Sequence, residues 1–344
     1  MSTMKMQNMT GIAGRFAARC LGAAALALAL TLALSAGSAQ AQGARNITLV
    51  VPFSAGGSTD VIARLVAEHM SRSLGQTIIV ENVAGAGGTI ASERVANAAP
   101  DGNTIMINQL ALLAAPSLFP NLKFDTRTAF APVGLVNTGP TVIVARKNLP
   151  ATSPAELIAW MRASGEKVTF GHGGLGTSGH LCGLQLAKAL QVSPNFVPYR
   201  GGAPAMNDLM GGTLDLLCDQ STNTIPQISG ATVRGVGVTG PVRLESIKDV
   251  PTTAEIGVPA VNLSVWHGLY VPKATPPAMV EKLNAALRGA VADPAVVARL
   301  DQLGSAPFPE AERSVAAHQA LFDREFVSIE TLLREAGVKP AEAK

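Results

Sequence analysis

The hydrophobic pattern switches between two periods along most of the chain. "NITLVVPF" (46–53) is a short, β-branched apolar run, too short for a buried helix, and predicts a central strand. From Ser58 to Leu74 apolar residues fall at 61, 62, 65, 66 and 70. That is the stripe of an amphipathic helix, and Gly75 stands where such a helix stops. "TIIVEN" (77–82) predicts a second strand. "GAGGTIASERVANAAPDG" gives a glycine turn, a helix and a further turn, and "NTIMIN" (103–108) a third strand. Strands alternating with helices predict a doubly wound α/β unit with a parallel sheet.

The alternation then repeats. "TVIVARKNLP" (141–150) opens another strand and "SPAELIAWMRASG" (153–165) a helix, with Ser153 as cap and Pro154 at its first position. Strands follow at 168–171, 196–199, 214–219 and 233–238, with helices at 178–190 and 204–211 between them. "SVWHGLYVP" (264–272) reads as a strand returning to the first unit, and 276–302 and 308–337 read as helical. Two α/β lobes are therefore expected, with the chain crossing between them near 140–146 and 264–272. Such lobes leave a cleft, and ligands of open parallel sheets sit beyond the carboxyl ends of the strands.

The first 41 residues break this pattern. Lys5, Arg15 and Arg19 precede an apolar run from Leu21 to Ser35, and Ala39 and Ala41 fit a small-x-small cleavage site. The run is short for a membrane span of roughly 20 residues. Export to the periplasm through a cleaved signal is expected, and Cys20 lies in the wrong place to carry a lipid. The signal holds three of the 27 Lys and Arg and none of the 24 Asp and Glu. The mature chain is thus formally neutral, with no basic stripe for nucleic acid. Cys182 and Cys218 follow the signal. Export favours a disulfide between them over two separate buried thiols.

Two stretches carry candidate chemistry. In "PFSAGGSTD" (52–60) a strand enters a glycine turn, and Ser58 or Thr59 stands where a helix needs a cap. The free amides of such a helix start suit a carboxylate or phosphate. A plain glycine turn with a capped helix gives the same spacing. "FGHGGLGTSGHLCG" (170–183) repeats the design, with Thr177 and Ser178 as candidate caps. His172 and His180 are read as hydrogen-bonding residues, since no nucleophile elbow is present. No zinc, EF-hand or dinucleotide pattern occurs, so neither metal nor cofactor is expected. In "VPYRGGAPAMNDLMGGTLDLLCDQ" (197–220), Tyr199 and Asp219 close strands on the same sheet edge as the second turn. Packing or a polar ligand contact suits either residue.

Taken in order, these stretches resemble the tripartite tricarboxylate transporter receptor family, also called the Bug family of extracytoplasmic solute-binding proteins. The carriers are "ITLVVPFSAGGSTDVIARLVAEHMSRSLGQTIIVEN", "GAGGTIASERVANAAPDG", "GGLGTSGHL", the 197–220 stretch and "VPTTAEIGVP". The family form P-F-P-A-G-G has Ser54 in place of its second proline here. The resemblance implies a fold similar to type 2 periplasmic binding proteins, two α/β lobes joined by a two-strand hinge. Lobe one then takes 42–142 and 267–344, and lobe two 143–266. It implies no enzyme activity but capture of a small carboxylate or amino acid, one carboxylate being held by backbone amides and waters. The implied site is Phe53, Ala55, Gly56, Gly57, Thr59 and Asp60 in the first loop and Gly176, Thr177, Ser178 and His180 in the second. Asp219, Gln109 and Tyr199 complete the wall. A Cys182–Cys218 bridge is also implied, as are a monomer and permease subunits or a sensor kinase as partners. The competing reading is a periplasmic hydrolase using Ser178, His180 and Asp219. Side chains at 109–113, 137–139 and 220–224 would set the ligand's identity.

Overall fold

The computed structural model describes residues 45–338. The expected signal segment lies outside them. Among the described residues no helix is long and apolar enough to cross a membrane, and no group of three His, Cys, Asp or Glu could hold a metal ion.

The expected alternation forms β1 (Ile47–Val51), α1 (Ser58–Leu74), β2 (Ile78–Asn82), α2 (Thr89–Ala96) and β3 (Thr104–Asn108). β1 pairs in parallel with β2 and β3. α3 (Leu110–Leu118) follows directly. It has no amphipathic stripe to read, because "LALLAAPSL" is apolar all round and almost wholly buried.

β4 (Phe130–Arg146) begins eleven residues before the strand expected at 141. Its first half, "FAPVGLVNTGP", holds two prolines and two glycines and reads as a loop. The strand absorbs them with register shifts between Pro132 and Gly134 and between Leu135 and Asn137. A side chain at Gly134 would strike Asn284 Nδ2 at 2.7 Å, so glycine lets a helix cross closely there.

The second unit contains α4 (Pro154–Ser164), β5 (Thr169–His172), α5 (Ser178–Leu190), β6 (Asn195–Pro198), α6 (Gly202–Met210), β7 (Leu216–Gln220), α7 (Ser221–Ser229) and β8 (Val233–Val238). β5 is parallel to β6 and β7, whereas β7 and β8 run antiparallel to β4. The chain closes with β9 (Ser264–Pro272), α8 (Pro277–Ala292), α9 (Pro294–Gln302), β10 (Ala306–Pro307) and α10 (Val315–Glu335). The single helix expected over 276–302 breaks at Asp293, which caps α9 by accepting from Ala295 N, with Pro294 at the next position. The helix expected over 308–337 starts only at 315, where Ser314 caps it.

Strand order is β2-β1-β3-β9-β4-β7-β5-β6. The sheet is therefore mixed, not purely parallel: β9 runs antiparallel to both β3 and β4. β4 pairs with β9 as far as Pro140, opposite Ser264, and from Thr141 onward with β7 and β8. One long strand thus passes from the first α/β lobe into the second, with β9 beside it where they meet.

Neighbouring strand residues bury themselves in opposite clusters, as side chains alternating across a sheet must. Leu49 packs with Ile62, Val66, Leu283 and Leu287 of α1 and α8, while Val50 packs with Val95, Leu113 and Phe322 of α2, α3 and α10. In the second lobe Leu216 joins Leu157 and Leu186 of α4 and α5, and Leu217 joins Met206 and Ile225 of α6 and α7. Helices cover both faces of both lobes. Cys182 of α5 and Cys218 of β7 form a disulfide inside the second lobe.

Candidate functional site

A parallel strand that ends, turns and starts a helix leaves amides pointing beyond the sheet edge. Here five such helix starts converge. The N-cap residues of α1, α3, α5, α6 and α7 are Gly57, Gln109, Thr177, Gly201 and Gln220. All five line one small cavity, together with Phe53, Ser58, Thr59, Gly173, Ser178, Gly202 and Asp219. Five positive helix ends around one small space favour an anion there.

The lobes touch across this cavity. Ser54 N donates to Arg200 O at 2.9 Å, and Ser178 N to Gln109 Oε1 at 3.3 Å. Gly201 has φ +145, and a Cβ on it would overlap Ser54 Oγ and lie 2.9 Å from Ser54 N. Glycine is needed for both the conformation and the approach.

Seven of the thirteen ligand contacts expected from sequence line the cavity: Phe53, Gly57, Thr59, Gln109, Thr177, Ser178 and Asp219. The other six do not line it. Neither Ser58 nor Thr59 caps α1; Gly57 takes that position without a side-chain bond. Asp60 points away and braces the loop. Its carboxylate accepts from Gly56 N at 2.9 Å, Arg64 Nε at 3.0 Å and Asn82 Nδ2 at 2.9 Å, and Asn82 Nδ2 also donates to Phe53 O. Burial alone would raise this carboxyl, but the bonds from Arg64, Gly56 and Asn82 together hold it below its ordinary value. Ala55 and Gly56 form the outer bend of that braced loop.

His180 turns back to accept from Gly176 N through Nδ1, at 3.2 Å, and its ring lies 4.5 Å from that of His172. Burial lowers His172 to about 4 and His180, with His172 adding to it, to about 3. Both rings are neutral. Tyr199 donates to Asp208 Oδ2 on α6 and packs beside that helix. Asp219 does face the cavity, with Oδ1 accepting from Gln220 N and Oδ2 from Asn223 Nδ2. Burial raises it to about 6 despite those bonds. Its oxygens, like the His180 Nδ1, are engaged elsewhere, and no hydrogen-bonded triad joins Ser178, His180 and Asp219 among the described residues.

Sequence reasoning missed Ser58, Gly173, Gly201 and Gly202 as lining residues, while Gln220, expected among the side chains that set the ligand's identity, does line the cavity. The glycine pair at 201–202 was legible as a turn but gave no sign that α6 starts two residues early and faces the cleft. Ser58 Oγ is buried with no protein partner.

Residues 62–324 match the family described as tripartite tricarboxylate transporter family receptor. The chain belongs to that family. The receptor shares 40% identity with the solved periplasmic binding protein BugD, covering 87% of this chain and all of that one, with a TM-score of 0.84. It is 36% identical to MatC from Rhodopseudomonas palustris, solved with bound malate, over 84% of this chain and 99% of that one, with a TM-score of 0.81. R. palustris Rpa4515, solved with adipate, is 30% identical over 87% of this chain and all of that one, with a TM-score of 0.83. The two-lobed architecture is thus that of the solved periplasmic binding protein BugD.

Proposed function

We propose that this receptor is exported, captures a small organic acid in the interlobe cavity, and presents it to permease subunits of a tripartite tricarboxylate-type transporter. The convergence of five N-cap residues on one cavity carries the reading. The amides of Ser58, Thr59 and Asp60 precede the first intrahelical bond of α1, from Val61 N to Gly57 O, and are free of helical carbonyls. They and Ser58 Oγ grip the carboxylate. Gln109, Thr177, Ser178, Asp219 and Gln220 form the opposing wall. Phe53 supplies its apolar side, and Asp60, Gly56 and His180 hold the loops in shape.

Lobe one comprises 42–142 and 267–344 and lobe two 143–266, with the signal at 1–41 removed on export. Closure swings the lobes about β4 and β9, driven by a ligand that contacts both. The malate and adipate named for two relatives support an organic diacid as the ligand class. The reading assigns no catalysis.

Thermal-shift screening of the purified protein against mono- and dicarboxylates, tricarboxylates and amino acids tests this. At 100 times its Kd a ligand stabilises by ~2.7 kcal/mol, a rise of several degrees in Tm. The ligand should be recovered unchanged. Silence across every acid contradicts the anion site, and consumption of the ligand contradicts a receptor without catalysis.

A further inference from the structure

Behind the cavity wall a chain of buried side chains runs from the start of α1 to the strands where the lobes join. Thr59 Oγ1 lies 3.1 Å from His267 Nε2 on β9, and His267 Nδ1 lies 3.0 Å from Asn137 Oδ1 on β4. Asn137 Nδ2 donates to Ser305 Oγ at 2.6 Å, and Ser305 Oγ donates to Thr138 O at 3.0 Å. Thr59, Asn137, His267 and Ser305 are all buried.

Donor counting fixes the direction of every bond in this relay. Thr138 O is a carbonyl and only accepts, so the single Ser305 hydroxyl proton goes to it. Ser305 Oγ must then accept, which requires the amide nitrogen of Asn137 on that side and its oxygen toward His267. That oxygen only accepts, so the His267 proton sits on Nδ1. His267 is wholly buried, and burial lowers it to about 3, so the ring is neutral and has no second proton. Nε2 is therefore bare, and the Thr59 hydroxyl must spend its one proton on it.

We propose that this relay makes the Thr59 hydroxyl an acceptor toward the cavity, setting the receptor for acids that carry a hydroxyl or ammonium beside a carboxylate. The inference rests on the carboxylate reading above. Ser58, one residue earlier, has a hydroxyl proton with no protein partner and serves the carboxylate. Adjacent hydroxyls of one helix start thus have opposite roles, Ser58 donating and Thr59 accepting. His267, Asn137 and Ser305 are positioning residues, set by the fold rather than by the ligand. An acid without the donor leaves Thr59 Oγ1 with nothing to accept from it, the arrangement that rejects an analogue lacking a hydroxyl.

Matched pairs decide the matter: succinate against malate and aspartate, glutarate against 2-hydroxyglutarate and glutamate, adipate against 2-hydroxyadipate and 2-aminoadipate, each titrated calorimetrically. In the pairs that bind, the donor-bearing acid should bind about ten- to a hundredfold tighter. The ratio should fall to near one in Thr59→Val and return in Thr59→Ser. Equal or tighter binding of the unsubstituted acids overturns this inference and leaves the carboxylate reading standing. No binding by any acid overturns both. A ¹⁵N–¹H long-range correlation spectrum of the unaltered, ligand-free protein gives a readout independent of affinity and of the folding of any variant. It should show His267 protonated on Nδ1; the Nε2–H tautomer reverses the relay and overturns the inference.

Discussion

The two glycine loops that face each other across the cavity share one sequence design and differ in what they do with their amides. In the first, Gly57 caps α1 without a side chain, and the first helical bond starts at Val61 N. A brace lying behind the loop holds its shape: Asp60 bound to Gly56, Arg64 and Asn82. In the second, Thr177 Oγ1 takes His180 N, His180 Nδ1 takes Gly176 N, and Gln109 Oε1 takes Ser178 N. The first loop leaves the Ser58, Thr59 and Asp60 amides free of helical carbonyls, the donors that the reading proposed above gives to a ligand. The second spends its donors on itself and on the other lobe. A strand, a glycine turn and a small polar cap therefore specify a helix start, but the residues around it decide whether that start binds anything.

The largest effect expected from probing this contrast lies in the second lobe. Its loop is tied covalently, because Cys182 in the helix it feeds is bonded to Cys218 next to Asp219, across 36 residues of sequence. Reduction should cost about 3–4 kcal/mol, a fall of about 6 °C in Tm by calorimetry. An unchanged Tm means that the bridge adds nothing to a lobe already fixed by its hydrogen bonds. Next is Gly201→Ala, which places a methyl against Ser54 across the cleft. It should cost about 1–3 kcal/mol of stability through its positive φ, and weaken binding about a hundredfold, or ~2.7 kcal/mol, by holding the lobes apart. Full affinity in this variant contradicts direct apposition of the loops in the bound state.

Asp60→Ala removes the brace from the first loop. It should cost about 2 kcal/mol of stability, and at least about tenfold in affinity, because freed amides no longer point one way. Thr177→Val removes the corresponding support from the second loop. Loss of that cap should cost about 1 kcal/mol in denaturant unfolding and less than about threefold in affinity, since its amide partners are not ligand donors. Similar binding losses in the two variants would erase the distinction between the loops.

Much of this was legible in the sequence. α1 and α5 fall on the expected residues, Ser58–Leu74 and Ser178–Leu190, because an apolar stripe and the Gly75 stop mark the first and the Thr177 cap the second. β4 was half hidden by Pro132, Gly134, Gly139 and Pro140, which punctuate loops in isolation but are absorbed by register shifts within a paired strand. α3 and α7 were missed: each carries an interior proline, and α3 buries every face. Within the site, the first loop was read as a ligand loop, but the Asp60 carboxylate turns back to brace that loop rather than line the cavity. One residue of helical rotation separates the Thr59 side chain, which lines the space, from the Asp60 carboxylate, which does not. His267 gave no signal, because "SVWHGLYVP" shows an apolar strand and nothing in it points to Thr59, 208 residues away.

The contrast between the loops is tested most directly by following backbone amides during titration with malate and with adipate, by ¹⁵N–¹H spectroscopy of the deuterated receptor. Direct donation to a carboxylate should shift the Ser58, Thr59 and Asp60 amides strongly downfield, while the Gly176, Ser178 and His180 amides, already bonded within the protein, move little. Large shifts at 176–180 with none at 58–60, in response to an acid that binds, would contradict the account.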